Sequence, residues 1–159
     1  MHSELGLLAS MLEDGTREWR EELGSVTQEQ ISFQVRPGSY SIGTLLLHIA
    51  EVEAWWIEQV AAKRELSSEF LKKVLSEETL VDKGLWPSPP REPFEWYISL
   101  LDTVREQSLK TIAELNDPMI SGRLERWNSE HTFRWILHHV LTHEAYHGGQ
   151  AVLVKSLCS

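Results

Sequence analysis

Apolar residues recur along this chain every three to four positions, the spacing of one face of an α-helix, and almost nowhere in the strict alternation of a half-buried strand. Leu5, Leu8, Leu12, Trp19 and Leu23 share such a face opposite the charged run EDGTREWREE and predict a first helix over about 3–23, with Trp19 in the core. Pro37 and Gly38 mark a turn, after which Ser41 can cap a second helix over about 42–62 whose stripe is Ile42, Leu45, Ile49, Val52, Trp56 and Val60. The stretch SSEFLKKVLSEE reads as a short connecting helix capped by Ser67 or Ser68. In WPSPPREP, residues 86–93, four prolines in eight positions exclude a helix and predict a crossover.

A third helix is predicted over about 94–115, facing inward with Phe94, Ile98, Leu101, Val104, Ser108, Ile112 and Leu115, and NDPMISG ends it. Residues 123–129 have alternating character that suits a short extended piece, and Thr132 can cap a last helix that runs through Gln150. Four helical patterns with almost no strand signal predict an all-α four-helix bundle, in which metal or ligand sites are built between facing helices. The long connection between the second and third helices argues against simple up-down-up-down order.

Composition narrows the classes of function. At 159 residues the chain is expected to form a single domain, 1–159, with one core. A net charge of −9 argues against a nucleic-acid partner, because phosphate binding is driven by a basic surface. One cysteine, Cys158, excludes an internal disulfide and fits a reducing compartment. No apolar run approaches the roughly 18 residues of a membrane span and no charged-then-apolar leader opens the chain, so a cytoplasmic protein with no membrane partner is expected.

The last helix carries the chemistry. Five of the seven histidines lie between His131 and Gln150. At about 100° per residue, His139, His143 and His147 form a slowly drifting stripe, with Ile136 and Val154 about 20° from His143 and Val140 about 60° away. This wheel puts the stripe down the middle of the apolar face, and places His138 opposite, in solvent. Buried imidazoles need partners for both ring nitrogens and cannot all be charged, a conflict that a metal ion resolves. Side chains at i and i+4 stand about 5–6 Å apart at Cβ, so His143 and His147 can share one ion. Alone, the pair is equally a set of core histidines bonded to carbonyls or carboxylates. His48 lies about 90° from the centre of its own helix's stripe, on the flank of Val52 and Trp55, where it is structural, exposed, or able to reach a neighbouring helix.

SIGTLLLHIAEVEAWW in the second helix and HHVLTHEAYHGGQ in the last, in this order and spacing, resemble the DinB-like (DinB/YfiT-like) metalloenzyme superfamily, four-helix bundles of about this length. The resemblance covers nearly the whole chain. It implies a divalent metal, zinc or nickel, held by His48, His143 and His147. Gly148 departs from the pattern, since many members carry arginine there. His139 is left as a neighbour of the ligands, a substitute ligand or a core residue. Glu144 reads as a solvated or interhelical acid, Gln150 as a group that orients a ligand or caps a polar cluster, and Trp55 and Tyr146 as pocket walls.

Three neutral histidines leave an ion at least one open position, the pattern of catalytic zinc, at which a water or thiol is deprotonated. The resemblance implies a metal-dependent thiol S-transferase or hydrolase acting on small electrophilic molecules, with a low-molecular-weight thiol such as bacillithiol, mycothiol or glutathione as partner. The alternative is a non-catalytic dimeric bundle whose metal only ties two helices or whose role is small-ligand binding. A homodimer is expected, because seven tryptophans and 42% hydrophobic residues are generous for a small helical core.

Overall fold

The structure is a computed structural model that describes residues 4–75, 84–114 and 131–158. Every regular element among them is helical, as the spacing of apolar positions requires. Glu4–Gly15 forms α1 and Arg17–Leu23 forms α2, so the single first helix expected from the sequence is broken at Thr16. Gly15 weakens a helix by about 1 kcal/mol relative to alanine. A Cβ at Gly15 would stand 2.5 Å from Leu141 Cδ1, so close packing excludes a larger residue unless Leu141 shifts. Ser3, Leu115 and the stretch 123–129 read as extended from sequence lie outside the described residues.

Gln28–Ser32 forms the short α3, held by Thr27 and Gln30 in a reciprocal capping box. Ile42–Ala54 forms α4, capped as expected by Ser41, whose Oγ accepts from Thr44 N. The second helix does not continue regularly: Trp55–Ala61 is a π-helical turn, closed by Ala62 N donating to Ile57 O at 3.0 Å. The wider turn brings Trp56, Ile57, Glu58 and Val60 all inside. Ser68–Lys73 forms α5, with Ser67 rather than Ser68 as its cap. Phe94–Glu114 forms α6, and Phe133–Leu157 forms α7, capped by Thr132.

The four expected helical layers assemble around α4, which packs on both α6 and α7, while α1 and α2 cover the other side of α7. Enclosure explains why α4 is apolar nearly all round: in Ile42–Ala54 only Glu51 is more than slightly exposed. Two apolar clusters fill the interior. One gathers Trp19, Leu23, Ile31, Leu45, Leu101 and Val154, the other Leu12, Val52, Trp56, Ile112, Phe133 and Val140.

A buried guanidinium ties four helices together. Arg105 Nε and Nη2 donate to the two carboxylate oxygens of Glu53 at 2.8 Å each, Nη2 donates to Glu144 Oε2 at 2.5 Å, and Nη1 donates to the Leu12 carbonyl. Burial disfavours the guanidinium charge, but the bonds to Glu53 and the charges of Glu53 and Glu144 outweigh it and raise its pKa. The proline-rich crossover is fastened rather than loose. Tyr97 Oη donates to Pro90 O at 2.5 Å, Trp86 N donates to Gly38 O at 2.9 Å, and Pro89 lies against Gly43 at the start of α4.

Candidate metal centre

α4 and α7 bring three histidines from distant parts of the sequence to one point. His48 Nε2 and His143 Nε2 stand 3.1 Å apart, and one nitrogen from each of His48, His143 and His147 lies within 4.8 Å of the other two. A tetrahedral ion with bonds of about 2.0–2.1 Å spaces its ligand atoms about 3.3–3.4 Å apart, so these nitrogens could close on a metal with small side-chain movements. His48, read from sequence as a flank residue, is 5% exposed because α4 is enclosed on all sides.

All three rings are held neutral. Burial, then the neighbouring charge of His147, lowers the His48 pKa to about 4. His143 is lowered to about 2 by burial and by His147, His48 and His139. Burial also lowers His147, opposed by its bond to Gln150. That bond joins Nδ1 to Gln150 Oε1 at 2.7 Å, and since an amide oxygen only accepts, Nδ1 carries the proton and Nε2 keeps its lone pair. Neutral imidazole nitrogens with free lone pairs are the donor set a divalent ion requires, so the residues fit such an ion.

The stripe is not in the middle of the buried face. Buried residues of α7 are Phe133, Ile136, Leu137, Val140, Glu144, Gly148, Ala151 and Val154, centred about 80° round from His143. The wheel drawn from sequence missed this shift because it weighed only Ile136, Val140 and Val154, and left out Phe133, Leu137, Glu144, Gly148 and Ala151, which lie further round. The triad therefore borders the core, with His48 buried and His143 and His147 partly exposed. Gly148 itself is a contact point: a Cβ there would lie 2.4 Å from Trp19 Cγ, so the tryptophan of α2 occupies the space an arginine would need.

His139 does not join the triad. Its ring stacks on Trp135 at 4.7 Å and 6°, Trp135 stacks on His131 at 3.9 Å and 24°, and Trp56 meets His139 edge-on at 5.3 Å. His138 is exposed, as expected. Glu144 is the interhelical acid, 2% exposed and bound to Arg105. Tyr146 stands edge-on to His147 at 4.9 Å, and Trp55 packs edge-on to Trp56 at 4.7 Å against the second apolar cluster.

Three residues that meet the triad or tie together the helices carrying it show no periodic signal that marks them. Trp86 meets His48 edge-on at 5.3 Å and Tyr40 at 5.9 Å, placed there by the fastened crossover. Arg105 sits one position off its helix's apolar stripe. Glu51 faces the back of His48, with Oε2 4.0 Å from Nδ1.

A helical bundle with a long second crossover and three converging histidines on facing helices is a DinB-like protein. Within that class, the family model for mycothiol S-transferase matches residues 7–158, so the chain belongs to the mycothiol S-transferase family. A solved structure described as the conserved protein of a locus from Enterococcus faecalis is similar with a TM-score of 0.75 and 17% identity, covering 99% of this chain and 98% of that one. At that identity the likeness shows the fold alone. Comparison with curated proteins finds no match. No described helix is long and apolar enough to cross a membrane.

Proposed function

We propose that this protein is a metal-dependent thiol S-transferase that joins a low-molecular-weight thiol, mycothiol first among the candidates, to a small electrophile. The observation that carries the reading is the convergence of His48, His143 and His147 as neutral donors at the border of the core. Zinc and nickel both suit an imidazole set. When bound, a divalent ion on three neutral imidazoles supplies positive charge and an open position at which a thiol is held as thiolate near neutral pH.

The chain's own residues provide the rest. Gln150 fixes the tautomer of His147. Trp86 and Tyr146 place aromatic surface beside His48 and His147, which limits water and offers an apolar wall to an electrophile. In the transfer, the thiol sulfur bonds to the electrophilic carbon, the bond to the leaving group breaks with its electron pair, and the thiol proton passes to solvent.

We propose a homodimer as the working assembly. Tyr146, Leu153 and Leu157 are 63%, 53% and 52% exposed at i, i+7 and i+11 of α7, an apolar seam of the kind two helices share.

The test is chelator-treated protein reloaded with zinc or nickel and offered 1-chloro-2,4-dinitrobenzene with mycothiol, bacillithiol or glutathione. Turnover that needs both thiol and metal and is lost in His147→Ala is expected. Turnover with water alone would favour hydrolysis, and no thiol consumption with either metal would overturn the transferase reading.

A further inference from the structure

Two of the three histidines carry an acceptor three residues further along the same helix: His147 is followed by Gln150 on α7, and His48 by Glu51 on α4. Residues at i and i+3 are neighbours on a helix surface, so each acceptor stands beside the ring it follows. On α7 the contact is closed, with Nδ1 of His147 and Oε1 of Gln150 at 2.7 Å. On α4, Nδ1 of His48 faces Glu51 Oε2 at 4.0 Å, the two side chains being 6% and 13% exposed. The buried Nδ1 of His48 has no hydrogen-bond partner among the described residues. Its other nitrogen, Nε2, points at His143.

A buried ring N–H without an acceptor costs about 1–3 kcal/mol, and a carboxylate is the stronger of the two acceptor types in play. A shift of about 1 Å at the end of the flexible Glu51 side chain brings the pair to the 2.7–2.9 Å of a charge-assisted bond. We infer that Glu51 is a positioning residue that accepts the Nδ1 proton of His48 and so fixes the tautomer whose Nε2 lone pair enters the histidine cluster. This inference rests on the reading of the three histidines as a metal site.

The two outer partners differ in a useful way. Gln150 orients His147 with a neutral dipole. Glu51 adds a negative charge behind His48, which makes Nε2 a stronger donor and offsets part of the charge of a divalent ion. Glu51 itself touches neither ion nor substrate. Loss of such an outer partner lowers metal affinity by about 10–100-fold without removing a ligand.

Cobalt(II) is the probe, because its visible absorption reports ligand number and geometry directly. Metal-free wild type, Glu51→Gln and Glu51→Ala are titrated with cobalt, with the melting temperature of each metal-free protein as the check on folding. Wild type is expected to take up cobalt with a spectrum of a nitrogen-rich site. Glu51→Ala should bind about 10–100-fold more weakly with a shifted spectrum. Glu51→Gln keeps the acceptor and loses the charge, so it should fall between the two. Wild-type affinity and spectrum in Glu51→Ala would overturn the inference and leave the metal site standing. No cobalt uptake by wild type would remove the metal reading and the inference together. Should Glu51→Ala not fold, the isosteric Glu51→Gln decides: an affinity and spectrum equal to wild type overturn the role assigned to the carboxylate charge.

Discussion

At the scale of single residues, the two neighbouring glycines of α7 give the cleanest contrast. Gly148 has Trp19 at 2.4 Å from where a Cβ would be, while Gly149 has nothing within 4 Å. Gly148→Ala should therefore destabilise by about 1–3 kcal/mol through overpacking. Gly149→Ala should stabilise by about 0.5–1 kcal/mol through helix propensity alone. Urea midpoints of opposite shift would bear this out, and equal shifts would contradict the packing assigned to Trp19. The sequence did not reveal this contact, since a wheel shows that Gly148 is small but not which ring lies over it. The histidines add a dependence on acid. His48 and His143 have folded pKa values of about 4 and about 2, below the ordinary histidine value near 6.5. Both are neutral when folded but take up protons when unfolded, so their contribution to stability is complete above about pH 6.5 and is lost as pH falls toward those values. Each adds a slope of up to about 1.4 kcal/mol per pH unit across that window. Denaturation of metal-free protein between pH 7 and pH 4 measures it, and His143→Gln should flatten the curve.

At the scale of elements, helix positions were legible because caps and apolar spacing are local properties. Ser41 and Thr132 cap α4 and α7 as their sequence positions suggest. The irregularities were not legible. The π-helical turn at Trp55–Ala61 carries no glycine or proline to mark it, and Gly15 beside the break at Thr16 lies between Leu12 and Trp19 of one apolar stripe. The triad followed the same division: α7 alone offered His143 and His147, but only the packing of α4 between its neighbours decides that the flank residue His48 turns toward them. Arg105 was hidden for a related reason, because a buried charge off the apolar stripe is visible only with its partners. Removing it should matter. Arg105→Ala leaves Glu53 and Glu144 buried without their cation and should cost about 3–5 kcal/mol, as read by urea denaturation. A loss under about 1 kcal/mol would show that the network does not hold α4, α6 and α7 together.

At the scale of the whole molecule, the exposed seam on α7 ends beside the histidines, because Tyr146 lies against His147. Light scattering should give twice the 18.3 kDa chain mass, and Leu153→Asp with Leu157→Asp should give the single chain. A monomeric wild type at micromolar concentration would contradict the dimer. The central claim is that one ion is shared by histidines from α4 and α7, and metal content tests it most directly. Protein purified without a histidine tag is analysed for bound metal in wild type, His48→Ala, His147→Ala and His138→Ala. About one zinc or nickel per chain is expected in wild type and in His138→Ala, whose ring points to solvent, with strong loss in the other two. Equal metal content in wild type and His48→Ala would contradict the shared site.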